Sequence, residues 1–257
     1  MLRAFHSICL AALTFAAASA LAQSPWNGTW KLNQARSHMT GDTYTLTKSG
    51  NKYHSDEGSI QYDFACDGKD YPTLAGQTVS CHDTATTLDS TYKQNGKVVQ
   101  TTKRQLDAGG KSYTSTSTYM RPDGGQTVTK TTHTRVGQGT GMAGTWKTAS
   151  TSSDHVGTFT MQVNGNSLRY ESPEDHATWE GKLDGTPAPV KGPTIPNGLM
   201  VSEKSEGSHK MVSEATINGK TIGRTEDTLS ADGKYFTEIN WDPAKPNEKD
   251  TLIYEKQ

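Results

Sequence analysis

Asn-Gly and Asp-Gly pairs divide this chain into short segments, and they limit its possible folds more than any other feature. Seven of the nine such pairs are Asp67-Gly68, Asn95-Gly96, Asp123-Gly124, Asn164-Gly165, Asp184-Gly185, Asn218-Gly219 and Asp232-Gly233. Type I′ turns need positive φ at both central residues, which these pairs tolerate well, so each pair predicts a tight β-hairpin. Intervening segments such as TYTLTK and KSYTSTSTYM alternate in polarity and are rich in Thr and Tyr. The sequence therefore predicts an all-β fold, an antiparallel meander.

The chain also contains an internal duplication. The word GTWK occurs at residues 28–31 and again at 144–147, 116 residues later. Other landmarks recur in the same order with a slowly growing offset: two Asp-Gly pairs, two Asn-Gly-Lys turns, and LDAGGK against LSADGK. Matches in register predict two tandem copies of one unit, the second with a longer loop in TPAPVKGPTIP.

These repeats define the expected domain organisation. We expect a first β-barrel repeat over residues 23–136 and a second over 144–257, each a small antiparallel meander barrel. Between them, residues 137–143 carry three glycines and predict a flexible linker. The alternative interpretation, a phosphate-binding loop, needs a following helix, whereas another strand pattern follows here.

The first 22 residues resemble a secretory signal peptide. Arg3 precedes an apolar run, and Ala20-Leu21-Ala22 provides small residues for cleavage after Ala22. The run is too short to span a bilayer. We therefore expect a periplasmic or secreted protein with no membrane span.

Charge and cysteine content narrow the function classes. The formal net charge is −1, and it becomes about −2 without Arg3, which gives no basic footprint for nucleic acid. Cys66 and Cys81 remain after export, and an even pair in an oxidising compartment predicts a disulfide. Two free thiols or half of a metal site are the alternative. We expect no cofactor.

One strand of each repeat carries the clearest inward-facing pattern. In the first repeat the alternating positions are Ile60, Tyr62, Phe64 and Cys66, and in the second they are Ala177, Trp179, Gly181 and Leu183. This face predicts a buried core. The same residues would line a ligand cavity if the barrels enclose a void.

The opening strands carry a family resemblance. A Gly-x-Trp motif that begins a meander of about 110 residues resembles the calycin group, which includes lipocalins, fatty-acid-binding proteins and avidin-like barrels. The likeness extends to uncharacterised, exported lipocalin-like bacterial proteins. It implies that Trp30 and Trp146 pack across the closed barrel ends. It also implies that a basic residue near the end of each repeat, Arg135 or Lys256, lies over a tryptophan through a cation–π contact.

The resemblance favours a non-catalytic binding protein that holds a small, partly apolar ligand in one or both barrels. The candidate interior or ligand-lining residues are Trp30, Ile60, Tyr62, Phe64, Trp146, Trp179 and Leu183. The loops at 67–80 and 184–198 would form the rims. The cavity should measure several hundred cubic ångströms and be mostly apolar.

Two other function classes stay open. The first is an envelope or surface interaction module with filled barrels and the proline-rich loop as its contact surface. The second is a periplasmic enzyme, but no catalytic or metal-binding residues can be assigned. The segment HSDE at 54–57 has triad residue types, yet sequence neighbours rarely converge, and it lies between two strand patterns, so a polar turn is the simpler interpretation.

Overall fold

The computed structural model describes residues 23–39 and 41–257, and all helix or strand elements in this part of the chain are β-strands. The predicted signal peptide lies outside the described residues. The strands are β1 (Gly28–Leu32), β2 (Thr43–Ser49), β3 (Lys52–Asp56), β4 (Gln61–Ala65), β5 (Tyr71–Pro72), β6 (Gln77–Asp83), β7 (Thr87–Gln94), β8 (Lys97–Leu106), β9 (Ser112–Met120), β10 (Gln126–Val136), β11 (Gly144–Ser153), β12 (Thr158–Asn164), β13 (Ser167–Ser172), β14 (Ala177–Lys182), β15 (Ala188–Pro189), β16 (Leu199–Ser205), β17 (Lys210–Ile217), β18 (Lys220–Leu229), β19 (Tyr235–Trp241) and β20 (Lys249–Lys256).

The strands form two nearly closed, antiparallel, barrel-like sheets of ten strands each. The first barrel has the order β4-β3-β2-β11-β10-β9-β8-β7-β6-β5, and the second has the order β14-β13-β12-β1-β20-β19-β18-β17-β16-β15. The predicted all-β fold with two tandem meander barrels is therefore confirmed, and its architecture is consistent with calycin-like barrels.

The barrels do not follow the repeat boundaries at their opening strands. Strand β1 pairs with β12 and β20, so the first Gly-Thr-Trp strand belongs to the second barrel. Strand β11 pairs with β2 and β10, so the second such strand completes the first barrel. The two repeats thus exchange their opening strands. Both strands begin with Gly-Thr-Trp-Lys, so each offers its neighbours the same residues for backbone pairing.

Two connections carry the chain between the barrels. The connection from β1 to β2 first runs beside the second barrel, where Asn33 donates its backbone N–H to the carbonyl of Ile253 (2.8 Å). It then joins the first barrel, where the Gly41 N–H donates to the Thr148 carbonyl (2.9 Å). The short connection from β11 to β12 crosses back, and the Gln34 side-chain amide bonds to both backbone groups of Ser153 (2.9 and 3.0 Å).

Residues 137–143, expected to link the barrels, instead connect β10 to β11 within the first barrel. This segment wraps around Arg135, whose guanidinium donates to the carbonyls of Gly141 and Ala143 (both 2.6 Å). Met142 is buried in the core of the first barrel. The segment is therefore a cap on the barrel end, with its backbone carbonyls satisfied by a charged donor.

The two closed ends have the same construction. Trp30 and Trp146 are fully buried, and the indole N–H of each donates to the carbonyl four residues earlier (3.0 Å). The Arg135 guanidinium lies 4.0 Å from the Trp146 ring, and the Lys256 ammonium lies 4.8 Å from the Trp30 ring. Because the strands are exchanged, the basic residue of each repeat covers the tryptophan of the other.

This packing requires a glycine two residues before each tryptophan. Gly144 has φ +141°, and a Cβ there would lie 2.4 Å from an Arg135 guanidinium nitrogen. Gly28 has φ +146°, and its Cβ would lie 3.1 Å from the Lys256 side chain. The Gly-x-Trp motif therefore leaves room for the basic side chain to reach the indole.

The hairpin prediction holds fully at two turns. Asn95-Gly96 and Asn218-Gly219 have positive φ at both residues, as type I′ turns require. At the other five pairs only the glycine has positive φ, so those turns are of other types. Three of these five turns still join paired strands. The hairpin prediction is wrong for Asp67-Gly68 and Asp184-Gly185, because they connect the two end strands of a sheet, β4 to β5 and β14 to β15.

The seam of the first barrel lies between β4 and the short strand β5, and the predicted disulfide closes it. Cys66 and Cys81 are bonded and link the end of β4 to β6. The second barrel closes the equivalent seam with backbone bridges, Thr178 to Lys191 and Asp184 to Lys204. On the loop-entropy model a disulfide across fifteen residues stabilises the fold by about 3 kcal/mol.

Candidate ligand-binding cavity in the first barrel

The interior of the first barrel is apolar at one end and polar at the other. Around Trp146 it is filled by Leu46, Phe64, Leu88 and Leu106. Towards the other end the inward positions become Ser, Thr, Gln, Tyr, His and Arg, and these side chains line a cavity of about 400 Å³. Its wall comes mainly from β8, β9 and β10. The cavity has the size of a small-molecule site, but its lining is polar where the sequence predicted a mostly apolar one.

Arg104 supplies the principal charge of this cavity. It lies on β8, two residues before the buried Leu106, so strand alternation turns both side chains inward. One guanidinium nitrogen donates to the Ser90 hydroxyl (3.0 Å). Among the described residues, no carboxylate lies within ion-pair distance of Arg104. A guanidinium inside a barrel without an anionic partner is an anion-binding group that has donors to spare.

Tyrosine side chains surround the guanidinium. Tyr44, Tyr92 and Tyr113 all interact with Arg104, and the Tyr44 and Tyr113 hydroxyls bond to each other. Burial raises the pKa of Tyr44 to about 12, so this phenol is neutral at ordinary pH. These hydroxyls therefore add neutral hydrogen-bonding groups beside the Arg104 guanidinium.

His133 also lines the cavity, stacked on Tyr113 with ring centroids 4.5 Å apart. Burial, together with the positive charge of Arg104, lowers the pKa of His133 to about 4. The imidazole is therefore neutral above that pH. It can donate or accept one hydrogen bond, and it adds no second positive charge.

Carboxylates lie at the rim. Glu57 lines the cavity and accepts hydrogen bonds from Ser55 and Tyr62 (both 3.2 Å). Asp242 and Glu248 come from the turn between β19 and β20 of the second barrel. An arginine within and carboxylates around the entrance make a site that admits a single negative charge more readily than several.

That turn of the second barrel covers the cavity and is held there on two sides. The Asp242 carboxylate accepts from the Ser59 N–H (2.8 Å) and the Ser59 hydroxyl (2.5 Å). Glu248 accepts from the N–H and hydroxyl of Thr43 (both 2.7 Å). Lys245 donates to the Thr43 carbonyl. The candidate site therefore uses residues of both barrels.

The residues predicted to line a ligand do not line this cavity. Most are packed in the apolar parts of the two barrels, and Ile60 and Tyr62 are half-buried. The set comprises Trp30, Ile60, Tyr62, Phe64, Trp146, Trp179 and Leu183. Tyr62 comes nearest, because its hydroxyl bonds to Glu57 and approaches Tyr92 (3.4 Å). The core alternative was thus the better interpretation of this pattern.

The sequence did contain a signal for the site. In KVVQTTKRQL the residues on the same face as Leu106 are Gln100, Thr102 and Arg104. A charged residue on the inward face of a strand is unusual and points to a partner or a ligand. Our prediction missed it because it followed apolar residues alone.

The expected rim loops take other places. Segment 67–80 contains β5 and part of β6, and 184–198 contains β15; both form parts of the barrel seams. Near the end of the second loop, Asn197 donates its N–H to the Ala75 carbonyl (2.8 Å) and bonds to Asn95. Part of the proline-rich loop is therefore engaged with the first barrel.

The HSDE segment is not the polar turn that the sequence predicted, because residues 54–56 belong to strand β3, and its side chains do not converge. His54 and Ser55 alternate across β3, so His54 pairs with Asp63 outside (2.8 Å) while Ser55 is buried inside. Within residues 23–39 and 41–257, no three His, Cys, Asp or Glu side chains are placed to share a metal ion. The same part of the chain has no helix that is long and apolar enough to cross a membrane.

No protein-family model matches this chain, and comparisons with curated proteins and with solved structures give no significant match. Its function must be inferred from the cavity itself.

Proposed function

We propose that this chain is an exported, calycin-like binding protein that holds a small organic carboxylate in the cavity of the first barrel. One observation carries the proposal: Arg104 faces a cavity of about 400 Å³ and has no carboxylate partner among the described residues. Burying an unpaired charge is costly, and a ligand carboxylate would compensate it. Export rests on the signal-peptide pattern of residues 1–22.

A carboxylate fits better than a phosphate. The planar guanidinium offers two parallel N–H donors, which match the two oxygens of a carboxylate. The tyrosine and serine hydroxyls can complete its hydrogen bonds. The rim carboxylates Glu57, Asp242 and Glu248 oppose a second negative charge. The remainder of the ligand would contact Tyr113 and His133, whose rings supply a partly apolar surface.

The experiment combines native mass spectrometry with calorimetry. Protein from the exported fraction should carry a small extra mass that solvent extraction removes. Calorimetric titration with hexanoate and benzoate should show saturable binding, while hexanol and inorganic phosphate bind more weakly. Arg104→Gln should weaken carboxylate binding by about ten- to a hundredfold, the value of a charge-assisted hydrogen bond pair. Lys103→Gln is the matched control, because this neighbour points outward.

Equal carboxylate binding by the Arg104→Gln variant would refute the proposed site. A clean apo mass with no binding of either carboxylate would favour the second class, an interaction module with no ligand. An enzyme on the same scaffold would instead require turnover of a bound compound.

A further inference from the structure

The second barrel carries the opposite charge at the equivalent position. Strands β8 and β18 correspond, and their last inward residues, Leu106 and Leu229, are both core residues. Two residues earlier the first barrel has Arg104 and the second has Asp227. Asp227 lies directly opposite Glu238 on β19, where the first barrel has Ser115 opposite Arg104.

A third acid completes an interior cluster of Glu203, Asp227 and Glu238. Glu203 is 8% exposed and Asp227 is 9% exposed. One oxygen of each has no hydrogen-bond partner. Asn240 donates to Glu238 (3.1 Å). None of the three acids forms an ion pair with any described residue.

Burial, reinforced by repulsion from Glu238, raises the pKa of Glu203 to about 8. Burial, and then repulsion from Glu238, Glu203 and Glu226, hold the pKa of Asp227 well above its ordinary value. Strand register places Asp227 opposite Glu238, and Glu203 is a further buried acid of the same barrel, on β16. Protons can neutralise them, but protonation leaves the partnerless carbonyl oxygens without donors.

Aromatic rings lie in the same barrel. Phe159 packs against Tyr170 and Tyr254, with centroids 4.8 and 5.3 Å away. Glu238 lies two residues after Phe236 on the same face of β19, and Phe236 stacks on Tyr254 with centroids 4.7 Å apart. Aromatic faces beside carboxylates are the surroundings that an organic ammonium ion prefers.

We propose that the interior of the second barrel is a binding site for a small organic ammonium ion, held by Glu203, Asp227 and Glu238 among Phe159, Tyr170 and Tyr254. A primary ammonium has three N–H donors and no acceptor, which matches a cluster rich in acceptors and poor in donors. This site is independent of the carboxylate site in the first barrel.

The test is calorimetric titration of the purified protein with propylammonium chloride at about pH 8, where carboxyl groups of this kind begin to ionise. Sodium chloride and propanol serve as ion and neutral controls. Asp227→Asn and Glu203→Gln should each weaken propylammonium binding at least tenfold. Glu226→Gln should leave it unchanged, since Glu226 faces outward and pairs with Lys210 (3.2 Å).

Arg104→Gln should also leave ammonium binding unchanged, which separates this site from the carboxylate site. Circular dichroism tests whether each variant is folded. If one of the two acid variants does not fold, the other still tests the site. Absence of saturable propylammonium binding, or equal binding by both acid variants, would overturn the proposal. Equal heats from sodium chloride would overturn it as well.

Discussion

The substitution Glu203→Gln should stabilise this protein, and the gain should depend on pH. Glu203 is buried in the second barrel, where it interacts electrostatically with Glu238 and Asp227. Its pKa rises from 4.5 to about 8 on folding. The unfolded chain therefore loses this proton at lower pH than the folded protein does.

Proton linkage determines whether the free energy of unfolding rises or falls with pH. Below the unfolded pKa of 4.5 both states hold the proton, and stability is complete. Between that pH and about 8 the unfolded state is increasingly ionised, so the free energy of unfolding falls as pH rises. At 1.36 kcal/mol per pKa unit the full loss is about 5 kcal/mol. We expect about 2–3 kcal/mol, because relaxation and water entry reduce the penalty of a buried charge.

Urea unfolding at a series of pH values measures this directly. Glu203→Gln should match the wild type near pH 4 and exceed it by about 2–3 kcal/mol near pH 8. Glu226→Gln should stay within about 0.5 kcal/mol throughout, since its side chain is 40% exposed. A wild-type stability that stays level or rises from pH 5 to 8, or a Glu203→Gln variant with the wild-type slope, would refute the reasoning.

Three further outcomes are expected. Gly144→Ala should cost about 2–3 kcal/mol, because its Cβ would meet Arg135; a neutral result in urea unfolding would contradict the motif's explanation. Replacing both Cys66 and Cys81 by Ser should cost about 3 kcal/mol; an unchanged unfolding midpoint would show that the seam needs no covalent closure. Deleting residues 23–33 should increase hydrogen exchange in the second barrel more than in the first, and the opposite pattern would contradict the strand exchange.

The fold class could be predicted because turn chemistry and strand alternation are local. A pair such as Asn95-Gly96 restricts the backbone whatever surrounds it. The disulfide of Cys66 and Cys81 could be predicted because an even pair of cysteines was expected in an oxidising compartment. Tyr62 and Trp179 lie on β4 and β14, which occupy corresponding positions in the two sheets, as their spacing indicated. Tyr62 lies opposite Ser55 of β3, and Trp179 lies opposite Tyr170 of β13.

The strand exchange could not be predicted because it leaves no local signature. Trp30 and Trp146 belong to the same four-residue motif, and each meets a basic side chain and an aromatic ring in its barrel. The choice depends on where the connections run, and their course is fixed by tertiary contacts such as Gln34 with Ser153. The polar interiors could not be predicted for a different reason. Arg104 and Asp227 occupy inward positions, but alternation of apolar residues alone does not identify them.

The exchange bears directly on the candidate site. Thr43 is the first residue of β2, reached immediately after the connection that leaves the second barrel. Its N–H and hydroxyl hold Glu248, and Ser59 holds Asp242, so the turn of the second barrel lies across the cavity of the first. The connection that exchanges the strands therefore also brings this cover into position. The turn of one barrel thus covers the cavity of the other, while the residues at positions 104 and 227 carry opposite charge types in the two interiors.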